Sequence, residues 1–264
     1  MTRVICLIQN QPPLVYFANR LRESCDVALV VVEGGSSRRL IPRSPRALIL
    51  RAWSAVEGRV RAARRRTAER ATCQRSFGDD WRALHPSLPT MHVRDINAPS
   101  VVQRVREIAP DVLIDHGTSL VRDELLDAAP IALNVHWGLS PWYRGVRCTE
   151  WALLHWDPYR IGVTIHLLSK RIDGGDILAQ ERIEVEPTDT VHSINMRLTK
   201  LGTELAARAI AHLDSGEPPR FEPQDLGLGF VTSSRQWSPH LERHVRLIER
   251  DGLIGKMLEK PVRR

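Results

Sequence analysis

Asn134 and His136 stand two residues apart at the end of the apolar run 131–135. In a strand, residues i and i+2 point to the same side, so this spacing presents a carboxamide and an imidazole together. The carboxamide N–H can hold a developing oxyanion, and the imidazole can exchange a proton near neutral pH, a combination suited to acyl transfer. A hydrogen-bonded Asn and His that merely close a strand would look the same. Downstream, residues 161–178 lead from a strand of alternating character into Ile172-Asp173-Gly174-Gly175-Asp176, a turn that exposes its backbone and carries two carboxylates.

The elements that must position these residues are legible as alternating strands and helices. Short apolar runs at 3–8, 26–32, 91–94, 111–115 and 131–135 read as strands. Between them lie helical spacings at 14–23, at 97–108 with Asn97 as cap and Pro99 in the first turn, and at 122–127. Gln9-Asn10-Gln11-Pro12-Pro13 reads as the loop after the first strand. The pattern predicts an α/β fold, a Rossmann-like, mostly parallel sheet with helices on both faces. Such sheets bind ligands beyond the carboxyl ends of their strands, which directs attention to the loops after residues 8, 115 and 135. Residues 36–75 interrupt the alternation. Apolar positions 49, 53, 56, 60 and 63 mark one helix face, and arginines 51, 59, 61, 64, 65, 66 and 70 crowd the same stretch. A further helix is expected over 190–213 and a last amphipathic one over 239–258. The expected organisation is a catalytic domain at 1–215, with a basic helical insertion at 36–75, and a partly helical extension at 216–264.

The 264 residues carry 38 Lys+Arg against 31 Asp+Glu, a formal charge of +7, much of it in the arginine-rich stretch. No apolar run approaches the ~18–20 residues of a membrane span. The first residues run directly into a strand with no secretory leader pattern. Cys6, Cys25, Cys73 and Cys148 are far apart and form no CxxC pair, which argues against a zinc site or a disulfide framework. A cytoplasmic protein without a metal is the expectation.

The two separated motifs resemble those of the folate-dependent formyltransferases typified by the methionyl-tRNA and glycinamide ribonucleotide enzymes. That family carries an Asn-x-His-x-Ser-x-Leu-Pro-x-x-x-Gly loop, in which Asn134, His136, Pro141 and Gly145 fall in register. Gly162, Thr164 and Asp173 match its later strand and turn. The resemblance implies formyl transfer from 10-formyltetrahydrofolate to a primary amine. Asn134 and a protonated His136 would hold the oxyanion. Asp173 would raise the pKa of His136, order a water and help carry the amine proton. The loop at 115–121 falls where the family binds the pterin ring through its backbone. His116, Gly117, Thr118 and Leu120, with Ile172 and Gly174 of the turn, are therefore implied as the folate-binding residues. His85-Pro86-Ser87-Leu88-Pro89 imitates the catalytic loop but lacks an Asn two residues earlier, and reads as a linker.

Departures from the family narrow the acceptor. The loop at 9–13 has no glycine and two prolines, unlike the phosphate loop of the glycinamide ribonucleotide enzymes. About 45 residues follow 219, too few for the C-terminal barrel of the tRNA enzymes. Trp137 and Trp142 on the catalytic loop offer stacking surfaces for a sugar or nucleobase, and Arg144 or Arg147 a partner for a phosphate, although either could equally form a surface ion pair. These features point to the branch that formylates nucleotide-linked amino sugars. A tRNA enzyme gripping phosphates with its basic stretch, and a 10-formyltetrahydrofolate hydrolase, are the alternatives. The tail after 219 is expected to cover the site, form a homodimer interface, or do neither.

Overall fold

The computed structural model describes residues 1–34, 67 and 70–259. The arginine-faced helix expected from positions 49–63 lies outside the described residues; helical residues 70–77 bury Cys73 and Phe77 against Met196.

Seven strands form one sheet: β1 (Arg3–Gln9), β2 (Asp26–Glu33), β3 (Thr90–Val93), β4 (Val112–His116), β5 (Ile131–His136), β7 (Gly162–Leu167) and β8 (Ile177–Arg182), in the order β3-β2-β1-β4-β5-β7-β8. The first five are parallel, and β7 and β8 continue the sheet antiparallel. Cys6, Leu7, Val30, Val31, Leu113 and Ile114 are all buried, because helices cover both faces and leave these strands no wet side. On one face α1 (Pro12–Leu21) and α5 (Val191–Asp214) pack over Val4, Cys6, Ile114 and Leu133. On the other, α2 (Pro99–Ile108) and α3 (Asp123–Leu126) pack over Ile5, Leu7, Val31 and Leu113.

Strand order reverses between β1 and β4, and the loops after β1, β4 and β5 meet there, as the alternation predicts. Local signals were less faithful. Pro12 and Pro13 begin α1 rather than ending a loop, since the first turn of a helix needs no N–H from them. The cap of α2 is Ala98. Asn97 instead bonds the backbone of Leu120 and Arg122, tying α2 to the segment before α3. The last helix is two, α6 (Pro239–Arg250) and α7 (Leu253–Leu258), separated at Gly252 with φ of 63°.

Beyond the sheet, a short β6 (Tyr143–Gly145) pairs in parallel with β9 (Phe230–Thr232), and α4 (Cys148–Leu154) contacts α6. The stretch expected as an appended tail is thus stitched to the segment that follows Asn134 and His136.

Phe17 is fully buried where α1 meets the sheet. Phe17→Ala is expected to cost about 3–5 kcal/mol of unfolding free energy in a urea titration. A loss below about 1 kcal/mol would mean that α1 is not docked as described.

Candidate active site

The antiparallel continuation of the sheet decides what sits beside Asn134. Asp115 of β4 and His166 of β7 are its register partners on either side, so the three side chains share one face at the strand ends. Asp173, from the turn between β7 and β8, reaches over them. Asn134 Nδ2 donates to Asp173 Oδ1 at 2.9 Å and lies 3.2 Å from His166 Nε2. His136 Nδ1 is 3.4 Å from Asp173 Oδ2, and the Gly145 N–H donates to that oxygen at 2.6 Å. His136 Nε2 bonds the Tyr143 carbonyl at 2.9 Å, which requires a proton on that nitrogen.

The turn is built to bring Asp173 in. Asp173 adopts φ of 44°, the left-handed region that few non-glycine residues occupy. A Cβ on Gly175 would lie 1.8 Å from the Leu167 carbonyl oxygen, so only glycine lets the turn fold back this closely. Gln224 Nε2 donates to the carbonyls of Asp173 and Gly175, and Gln180 and Thr164 fix Ser140 of the loop opposite.

Burial works to raise the Asp173 carboxyl, but His136, His166 and the Gly145 N–H outweigh it, and the group is held well below the usual carboxylate range. Burial lowers the His136 imidazole more than Asp173 raises it. The resemblance thus has the sign of the Asp173 contribution right, while desolvation wins the net direction. Burial also lifts the Asp115 carboxyl to about 7; Thr118 opposes this and the charges of Asp173 and Glu33 add to it.

These residues line a cavity of about 680 Å³ that runs from Gln9 and Leu14, past Asp115–Val121, to Val146–Glu150 and Asn195. Asn134, His136 and Asp173 are brought together in it, and His116, Gly117, Thr118, Leu120, Trp137 and Ile172 line it. Leu120 and Ile172 are 65% and 48% exposed, which puts apolar surface against solvent where a ligand ring can cover it. Neither His116 ring nitrogen makes a hydrogen bond of normal geometry, although the ring is buried between Phe17 and Trp137. Burial holds it neutral, at about 3, with the Val135 backbone offsetting part of the cost.

Three expected binding residues do not line the cavity. Arg144 is buried with its guanidinium donating to the carbonyls of Pro141, Leu226 and Leu228; it is a brace and not a free cation for a phosphate. Trp142 carries the Arg160 guanidinium on its face, 5.2 Å from the ring centre. Gly174 faces Leu226. Two neighbours of Asp173 escaped sequence reasoning. His166 had a signal, since it alternates with Thr164 on a strand whose register sets it opposite Asn134. Gln224, 51 residues beyond Asp173, had none. His85 sits in the linker with its Nδ1 2.7 Å from Ser87 Oγ, outside the cavity.

A protein-family model described as formyl transferase matches residues 53–210, more than half of the chain. The chain belongs to the formyl transferase family. A methionyl-tRNA formyltransferase of Syntrophus aciditrophicus (strain SB) is 31% identical over 169 residues, which is 63% of this chain and 50% of that protein. This family member spans about half the length of the curated relatives it matches. In fold it resembles a sugar N-formyltransferase from a Shewanella species, with a TM-score of 0.55, 16% identity, and coverage of 94% of this chain and 87% of that one. It also resembles the formyltransferase PseJ from Anoxybacillus kamchatkensis, solved with UDP-4,6-dideoxy-4-formamido-L-AltNAc and tetrahydrofolate. There the TM-score is 0.51 and identity 22%, covering 64% of this chain and 88% of that one.

Arg144→Ala would leave three carbonyls without their donor and is expected to destabilise the protein by about 3 kcal/mol, lowering the thermal midpoint by several degrees. An unchanged midpoint would return Arg144 to the role of a ligand-binding cation. His116 gives a pH signature. Its folded pKa lies below the unfolded value of about 6.5, so the unfolded chain gains a proton first as pH falls, and stability drops below about pH 6.5. Between pH 7 and pH 5 this amounts to roughly 2 kcal/mol, and His116→Phe should flatten that part of the profile in urea titrations.

Proposed function

We propose that this chain transfers a formyl group from 10-formyltetrahydrofolate to a primary amine, and that the amine belongs to a nucleotide-linked amino sugar. The observation that carries the reading is the convergence of Asn134, His136 and Asp173 within hydrogen-bonding distance at the floor of one cavity. In that reading the folate supplies an activated formyl group. The loop at 116–120 and Ile172 hold its ring system, with exposed backbone and apolar surface where a flat heterocycle needs them.

Asp173 stays ionised and orients both partners. Its charge favours a proton on His136, which burial otherwise disfavours, so the pair is poised to hold a proton as the amine attacks and to release it as the folate nitrogen leaves. Asn134 shares the oxyanion. The scheme is written without a metal.

The sugar acceptor is supported by Trp137 on the cavity wall and by the fold likeness to enzymes named for sugar N-formylation. One observation favours a second reading: the curated relatives that match by sequence are methionyl-tRNA formyltransferases. Their substrate would engage the basic residues 51–66, which lie outside the described region. A cytoplasmic site of action goes with either reading. Four free cysteines suit a reducing compartment, and no helix among the described residues is long and apolar enough to cross a membrane.

The test is a formyl-transfer assay from 10-formyltetrahydrofolate with nucleotide-linked amino sugars and aminoacylated initiator tRNA offered in parallel. Formylation of a sugar amine is expected, with turnover lowered about 100-fold or more in Asn134→Ala. Formylation of the tRNA alone would establish the second reading, and formate release without an acceptor would establish hydrolysis. Near-normal turnover by Asn134→Ala would remove that residue from the chemistry.

A further inference from the structure

Both amide hydrogens of Asn134 already have partners, one on Asp173 Oδ1 and the other toward His166 Nε2. His166 Nδ1 lies 2.8 Å from the Leu167 carbonyl, and its Nε2 faces both Asn134 Nδ2 and, at 3.4 Å, Asp173 Oδ1. The two hydrogen-bonding nitrogens of His136 are likewise turned to Tyr143 and Asp173. To share an oxyanion in this cavity Asn134 must therefore give up one of these partners, and a further donor on the same face would strengthen that hold. One more polar group on the same face is the carboxyl of Asp115, which is bonded by Thr118 alone among the side chains. It is the register partner of Asn134 on the neighbouring strand, lines the same cavity, and is 6% exposed.

We infer that Asp115 is a further catalytic residue, a neutral carboxylic acid that donates its hydrogen bond to the formyl oxygen of the bound donor. The inference rests on the folate reading of the cavity. As the amine nitrogen bonds to the formyl carbon, the carbonyl π pair moves onto that oxygen, and it returns when the bond to the folate nitrogen breaks. Asp115 keeps its proton throughout and only shares it, so the balance of the transfer is unchanged.

The surroundings keep the acid neutral. Glu33 on β2 is buried and accepts from Ser119 through both oxygens, from the N–H at 2.8 Å and from the hydroxyl at 2.7 Å. Asp173 is ionised above. Below, Cys6 of β1 is buried with its thiol pushed up, Asp115 among the causes. From β5 the partner is the uncharged Asn134, and among the described residues no cation is paired with Asp115. Burial above all, with Asp173 and Glu33 adding to it, pushes the Asp115 carboxyl up to about 7, so it carries its proton on the acid side of neutrality. Thr118 bonds the carboxyl through its hydroxyl at Oδ1 and through its backbone N–H, and so fixes its orientation.

The experiment needs no acceptor. 10-Formyl-5,8-dideazafolate, which cannot cyclise, is labelled with ¹³C in the formyl group, and the isotope-edited carbonyl stretch is recorded bound and free. Bound to the wild-type protein at about pH 6, the stretch should shift to lower frequency. The shift should persist in Asp115→Asn, which keeps a donor, and vanish in Asp115→Leu, with affinity weakened roughly three- to tenfold. Raising the pH through about 7 should abolish the shift in the wild type but not in Asp115→Asn. The same stretch in wild type and Asp115→Leu, with the analogue bound to both, would overturn the role of Asp115 and leave the folate reading intact. Failure of the wild-type protein to bind either the analogue or 10-formyltetrahydrofolate would overturn both. Should Asp115→Leu not fold, the pH dependence in wild type against Asp115→Asn decides alone.

Discussion

One buried carboxylate holds the catalytic end of this sheet together. Asp173 collects Asn134 from β5, the Gly145 N–H from the loop beyond it, and the rings of His136 and His166. An ionised carboxylate out of bulk water is tolerable only with such partners around it, and they come from β5, β6 and β7. The left-handed turn, the close approach at Gly175 and the bond from Gln224 all serve to deliver that charge. The catalytic geometry and the local stability of the strand ends therefore depend on the same contacts.

The consequence for chemistry is a cavity lined by ionisable groups of both signs. Asp115, Asp173 and Glu150 line the cavity with Arg147 and Arg171, and burial depresses the imidazoles of His116 and His136. The protonation state of the site is therefore a property of the whole cluster rather than of His136 alone. The β7 and β8 strands matter here for a topological reason. By running antiparallel to β5 they place His166 directly beside Asn134, and they deliver the turn bearing Asp173 to the same end.

How much of this was legible in the sequence follows from range. The parallel strands were plain because residues buried on both faces give unbroken apolar runs, and the order of helices and strands limited the site to three loops. Asn134, His136 and Asp173 stood out because their spacing survives in a motif. Arg144 misled because a buried guanidinium and a ligand-binding one have the same letter; only the carbonyls of Leu226 and Leu228, more than eighty residues away, distinguish them. Asn97 misled for the opposite reason, since its side chain fits a helix cap locally but finds Leu120 and Arg122 in the folded chain. Gln224 and the pairing of β6 with β9 carried no local pattern at all.

That pairing has a consequence for how the protein is made. The sheet from β1 to β8 is complete once residue 182 is available, but Tyr143–Gly145 has no strand partner until Phe230–Thr232 exists. On a ribosome the nascent chain must therefore carry a finished sheet and an unbraced catalytic loop for about fifty further residues. The bracing of Tyr143–Gly145 by Phe230–Thr232 thus comes late in synthesis, after the sheet that carries Asn134 and His136 is already in place.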